Sequence, residues 1–372
     1  MNKLTHPKNE SEEAVMMKAE EFKVDSYFLS ENNLMWLKGD LAGLEEQFVE
    51  IINNVPGYKP TIFELCNIYE ARGEREKLRQ MIDYALKRFP DDPMFLIMDA
   101  LWRFRANEIP AARTTLEKLA VTGFNVPIVM KTLGDIYMAQ KMGGPAIEVY
   151  KKCVEKYDGF PEVHLELVRL YYQSADFLNA LLELKHIPED KKTLELKKIE
   201  GVCNYYREDY KSALAVFTDI LKHHPDDILS LMYAGDICLR FEKNYKAEFY
   251  WESALKLTPE TLEDRASLAK IYLFISDYEQ AAKLVDINIR QLPEHYVSLF
   301  VLGLIAVCED KFHSAAVNWN IVYTKSPGIF DFEFELIKKS LKDNKIKEFV
   351  YKVTEPEYNE MCECIKMRCD MK

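Results

Sequence analysis

Glycine is scarce, with 13 in 372 residues. That is too few for a fold rich in paired strands and tight turns, which lean on residues free to take positive φ. The chain also lacks an apolar stretch long enough to span a bilayer. Its first residues, MNKLTHPKNESEEAVMMKAEEF, have no apolar core of a secretory leader. Basic charge is in deficit as well: 49 Lys and Arg stand against 61 Asp and Glu, a formal charge of −12 with a pI near 5.3. A nucleic-acid binder usually carries a basic surplus, and an acidic chain is repelled by anionic membrane surfaces. Neither nucleic acid nor membrane insertion is expected. The eight cysteines, at 66, 153, 203, 238, 308, 362, 364 and 369, sit in a chain without export signals. They read as free thiols of a reducing compartment: the cytoplasm, or the nucleus if the source is eukaryotic.

Signatures of chemistry are missing too. There is no G-x-x-x-x-G-K-[ST] phosphate loop and no H-E-x-x-H zinc helix. Gly143-Gly144-Pro145 sits at a turn between helical patterns, with no strand before it, and His223-His224-Pro225 falls at a hairpin end. Cys362, Cys364 and Cys369 form C-x-C-x4-C, but structural zinc takes four ligands, typically with C-x2-C spacing. No metal, cofactor or catalytic residue is expected, and the chain does not read as an enzyme.

What is present is a repeat. Pro225, Pro259, Pro293 and Pro327 are each 34 residues apart, and Ala213, Ala247, Ala281 and Ala315 keep the same step. So do Gly201, Gly235, Ala269 and Gly303, and also Phe217, Trp251, Val285 and Trp319. With the proline as position 32, units begin near Asp25, Lys59, Pro93, Pro127, Pro161, Leu194, Ile228, Leu262 and Tyr296. The first unit is degenerate and the fifth is about one residue short. Small residues at positions 8 and 20 let two antiparallel helices approach closely. A large residue at position 24 fills the gap between successive hairpins, and proline ends each hairpin. Spacings of three and four residues within a unit are helical. Asp209 and Asp277, at position 16, suit the turn between the helices.

This pattern resembles the tetratricopeptide repeat, most clearly in Leu299, Leu302, Gly303, Ala315, Trp319 and Pro327. The resemblance implies an all-α fold, a right-handed superhelical solenoid of antiparallel helix hairpins. The expected organisation is a polar N-terminal segment with a possible cap helix (1–24), nine repeats (25–329) and C-terminal capping helices (330–372). The fifth unit meets Pro188 early. That is either a local irregularity or a change of superhelical pitch. Lys338, Lys339, Lys342, Lys345 and Lys347 wet the C-terminal end, as a polar cap or as a basic docking site.

Members of this family bind protein segments in a groove lined by the first helix of each hairpin, so the implied function is a protein-interaction scaffold or adaptor. The two-carboxylate clamp of chaperone-tail binders is not matched, because Phe63 and Asp135 stand where it needs Lys and Asn. The groove positions read apolar and aromatic instead: Phe63, Met98, Phe104, Met138, Tyr172, Tyr205, Tyr206, Tyr233, Phe274 and Phe300, with Arg105, Arg169 and Arg240 interleaved. Aromatic residues, Met and Arg are favoured at interface cores, and a helical or extended apolar segment of a partner suits such a groove. Packing between neighbouring hairpins is the competing role for these side chains. The alternative function is a structural subunit of a large assembly, in which repeat arrays stack or form homo-oligomers.

Overall fold

The computed structural model describes residues 12–21, 39–157, 160–338, 341, 343–353, 355–369 and 371. Among the described residues there are helices and no strands. The chain divides into two compact units, 1–158 and 159–372.

The first unit holds α1 (Glu12–Glu21), α2 (Leu41–Asn54) and three hairpins: α3 (Lys59–Ala71) with α4 (Arg75–Arg88), α5 (Pro93–Arg105) with α6 (Ile109–Val121), and α7 (Pro127–Ala139) with α8 (Gly143–Lys156). Helix α2 takes the place of the second helix of the first repeat. The first helix of that repeat, expected from Asp25, lies outside the described residues.

The second unit holds five hairpins. They are α9 (Pro161–Gln173) with α10 (Phe177–Leu184), α11 (Leu194–Tyr206) with α12 (Tyr210–His223), α13 (Ile228–Arg240) with α14 (Asn244–Leu255), α15 (Leu262–Phe274) with α16 (Tyr278–Gln291), and α17 (Tyr296–Cys308) with α18 (Phe312–Lys325). Then follow α19 (Pro327–Ile337), α20 (Asp343–Lys352), a 3-10 turn at Pro356–Tyr358, and α21 (Asn359–Arg368).

From α3 to α17, every first helix of a hairpin starts at the residue the 34-residue register assigns to it. Local chemistry sets those starts. Proline occupies the first turn of α5, α7 and α9, where its missing N–H costs nothing. The Asp92 carboxylate accepts from the Met94 amide at 3.0 Å. Thr261 and Asp264 close a capping box, each side chain accepting from the other's amide at 3.0 Å.

The aspartates at position 16 are caps rather than turn residues. Asp176, Asp209 and Asp277 accept from the amides of Asn179, Ser212 and Gln280 at 3.1–3.2 Å and start the second helices. The strained residue is the one before. Gly73, Asn107, Lys141, Ala175, Glu208, Glu242, Ser276 and Asp310, all at position 15, have φ between 57° and 68°. Only one of the eight is glycine. For an L residue the left-handed region costs about 1–2 kcal/mol, and glycine's larger unfolded-state entropy returns about 0.5–1 kcal/mol of any gain. Lys141→Gly is therefore expected to stabilise the first unit by about 0.5–1 kcal/mol, read as a higher midpoint in urea. A lower midpoint contradicts this account of the turn.

The position-24 side chain lies on the position-8 glycine of its own hairpin. A Cβ on Gly134 would come within 2.2 Å of the Tyr150 ring, one on Gly201 within 2.7 Å of Phe217, one on Gly235 within 2.2 Å of Trp251, and one on Gly303 within 2.3 Å of Trp319. The same rings then stack on the next hairpin: Phe217 on Tyr233 at 5.2 Å between centroids, and Trp251 on Phe274 at 5.1 Å. One side chain thus serves both the contact within a hairpin and the contact between hairpins.

The second helix of the fifth repeat, α10, is short, Phe177–Leu184. Pro188 cannot continue it, and the backbone tightens into i to i−3 bonds from Lys185, His186 and Ile187. Ile187 is still buried. At the C-terminal end, α19 to α21 cover the last hairpin. Trp319 is fully buried, with Phe330, Phe334 and Phe349 at 5.2–6.2 Å. Of the lysines there, Lys338 donates to the Arg368 carbonyl at 2.5 Å, Lys345 pairs with Asp310, and Lys347 is exposed. Lys339 and Lys342 lie outside the described residues.

Candidate protein-binding face

The first helices of the hairpins carry the candidate residues, and the two units present them differently. In the first unit Phe63, Met98, Phe104 and Met138 are half-buried, and Arg105 is exposed. Phe63 and Met98 sit at the margin of the core rather than in it. Arg105 forms a surface ion pair with Glu70. Close by, the Arg79 guanidinium lies 4.9 Å from the Trp102 ring centroid and donates to Asp99 at 2.6 Å. A cavity of about 400 Å³ opens between Tyr69, Leu78, Trp102 and Arg105. This face keeps apolar area and cationic groups within reach of solvent.

Of the aromatic positions in the second unit, Tyr172, Tyr206 and Phe274 are half-buried and three are closed. Tyr205, Tyr233 and Phe300 are buried, the last fully. Phe300 stacks on Trp319 and meets Phe330, both at 5.3 Å, which makes it a core residue. Tyr205 belongs to a buried polar cluster. Its hydroxyl donates to Asp236 at 2.5 Å, and Arg240 donates to the same carboxylate at 2.6 Å and to the Tyr205 oxygen at 2.6 Å. Burial first, and then the Asp236 charge, push the Tyr205 hydroxyl well above its usual pKa. Arg240 is held by this cluster and by the Tyr210 hydroxyl at 3.1 Å. Arg169 is forked onto Glu195 at 2.9 and 3.1 Å. Phe274 is half-buried against Trp251.

What closes this face is α19. Its Phe332 ring packs on Tyr206 and meets Phe177 edge-on at 4.6 Å between centroids. Tyr206 in turn stacks on Phe177 at 5.4 Å, and its hydroxyl lies 3.3 Å from that of Tyr233. A Cβ on Gly328 would stand 3.0 Å from the Ala175 Cβ, so α19 enters beside the turn between α9 and α10. Deeper in, Lys270 of α15 donates to Glu333 of α19 at 2.8 Å, with both residues buried. The repeat register places α19 as one more first helix. It gives no sign that its far face returns to α10, α11 and α15.

The cysteines are mostly packing groups. Cys66 and Cys203 are buried, and desolvation pushes each thiol up to about 12. Cys362 is buried, and its thiol approaches the Val353 carbonyl at 3.9 Å, while Cys364 faces Arg368 at 3.4 Å. Among the described residues no three His, Cys, Asp or Glu side chains are grouped to hold a metal ion. Nor is any helix among them long and apolar enough to cross a membrane.

No family model matches the chain. The chain is similar to anaphase-promoting complex subunit 7 of Arabidopsis thaliana, 23% identical over 189 residues. That alignment takes 49% of this chain and 33% of the relative, so the chain spans about a third of the length of the curated relative it matches. Among solved structures it is similar to a tetratricopeptide repeat protein from Parabacteroides merdae ATCC 43184, with 16% identity and a TM-score of 0.47 over 67% of this chain and 99% of that one. It is also similar to the APC/C hetero-tetramer Cut9–Hcn1, with 14% identity and a TM-score of 0.43 over 71% of this chain and 52% of that one. By its helix hairpins, their 34-residue step and the ring seated on a small residue in each of four hairpins, the chain has the tetratricopeptide-repeat fold.

Proposed function

We propose that the chain is a protein-interaction scaffold, and that its first unit holds an apolar segment of a partner, helical or extended, along α3, α5 and α7. The observation that carries this is the contrast between the two units. Phe63, Met98, Phe104 and Met138 remain partly accessible on the first helices of one unit. In the other, Tyr205, Tyr233 and Phe300 are buried, and the half-buried Tyr206 is covered by Phe332 of α19. Apolar side chains left accessible beside Arg105 are the composition of an interface core.

A second reading has a specific observation in its favour. The likeness to an anaphase-promoting complex subunit suggests a permanent place in a multi-protein assembly, either as a homo-oligomer or stacked on other subunits.

Two measurements test these readings. Partners captured on the intact chain should be lost with Met98→Ala and Phe104→Ala, each at a cost of about 1–3 kcal/mol in affinity, while helical content by circular dichroism stays constant. Undiminished binding in both variants removes the first unit's inner face as the site. Light scattering on the eluted chain decides the second reading: a stable monomer favours the adaptor, and an obligate dimer favours the assembly subunit.

A further inference from the structure

The closed face of the second unit is not solid. Between α9, α13, α15, the start of α17 and α19 lies a cavity of about 480 Å³. Tyr172, Met232, Tyr233 and Phe332 give it an apolar and aromatic wall. Two carboxylates, Glu263 and Glu333, and one ammonium, Lys270, also line it. His295 is the other basic group in the lining. Burial first, and then the charges of Lys270 and Arg265, lower its pKa, so it is neutral at pH 7. Two carboxylates against one ammonium leave the lining with a net charge of −1.

One of the carboxylates is under-served. Glu333 is 3% exposed; its Oε1 accepts from Lys270 at 2.8 Å, and its Oε2 is buried with no hydrogen-bond partner in the protein. A buried carboxylate oxygen without a donor is unfavourable. Glu263 is reached by solvent, yet it stands in a crowded concavity that raises its carboxyl pKa by desolvation.

We infer that this cavity is a binding site for an amphipathic cation: an ammonium or guanidinium carried on an apolar stem, the chemistry of a Lys or Arg side chain. The charged head supplies the donor that Glu333 Oε2 lacks and pairs with the Glu263 carboxylate at the mouth of the cavity. The stem lies on the rings of Tyr172, Tyr233 and Phe332, which also attract a cation. An anionic ligand would meet the unpaired carboxylate oxygen, and a purely apolar one would leave that oxygen without a donor. The site deepens the scaffold reading by naming what a partner would insert into the second unit. It is tested without any partner, so it and the first-unit interface fail separately.

The test titrates the full chain with n-hexylamine, 1-hexanol, hexanoate and the capped tripeptide acetyl-Ala-Lys-Ala-amide, by calorimetry. Hexylamine is expected to bind at least about tenfold more tightly than hexanol or hexanoate. Glu263→Gln keeps a solvent-reached side chain of the same shape, and Glu333→Gln keeps an amide oxygen for Lys270, so both variants should fold. Each is expected to weaken amine binding about tenfold or more while leaving hexanol unchanged. Saturable binding of the tripeptide assigns the cation to a protein side chain; binding of hexylamine alone assigns it to a free amine. Equal affinity for hexylamine and hexanol, or an amine isotherm unchanged in both variants, overturns the site.

Discussion

Trp319→Ala will destabilise the second unit by about 3–5 kcal/mol, the range for removing a buried large aromatic side chain. The ring is fully buried, donates from Nε1 to the Phe300 carbonyl at 2.9 Å, and touches Phe300, Phe330, Phe334 and Phe349. Its loss opens a void at the junction of the last hairpin and the C-terminal helices, lined by four phenylalanine rings that are themselves closely packed. Gly303→Ala carries the same argument from the other side. A Cβ there would lie 2.3 Å from Trp319 Cδ1 and 2.4 Å from Nε1, so the variant should cost about 1–3 kcal/mol by overpacking. In the Trp319→Ala background that cost should vanish, because the clashing ring is gone. Urea unfolding of the four proteins measures all of this, and additive losses would show that the glycine and the ring do not answer to each other.

The second large effect concerns the ion pair that α19 brings into the second unit. Lys270→Met will cost about 3–5 kcal/mol, because it leaves the Glu333 carboxylate buried without its one donor. Lys270 and Glu333 are 4% and 3% exposed, and their contact is 2.8 Å. The double variant Lys270→Met with Glu333→Leu should recover most of the loss, since a matched apolar pair avoids desolvating two charges. The single variant should also free α19: its amides should exchange with solvent faster than those of α13, which keeps its own packing. A single variant that unfolds within about 1 kcal/mol of the native chain would show that the pair does not hold α19 in place.

The candidate site was legible in part, and the division falls along a physical line. Arg105, Phe104 and Met98 sit where their repeat positions place them, on the accessible side of a first helix. Tyr205, Tyr233 and Phe300 occupy equivalent positions and are buried. A position in the repeat fixes which way a side chain leaves its helix, and it cannot say what arrives on the other side. For Phe300 the arrival is Phe330 and Phe334 of α19; for Tyr206 it is Phe332 of the same helix. The buried pair that marks the second cavity joins residues 63 positions apart in the chain. Neither Lys270 nor Glu333 stands out among the many charged residues of a helical array.

What the sequence by itself determined is the set of local devices. Small residues, rings, caps and prolines recur every 34 residues, and each acts over a few turns of helix, so the start of every first helix from α3 to α17 could be read from the register. What only the tertiary structure decided is which inner face stays open. That depends on α19 meeting α10, α11 and α15, and those contacts are made by the summed geometry of five hairpins rather than by any one repeat.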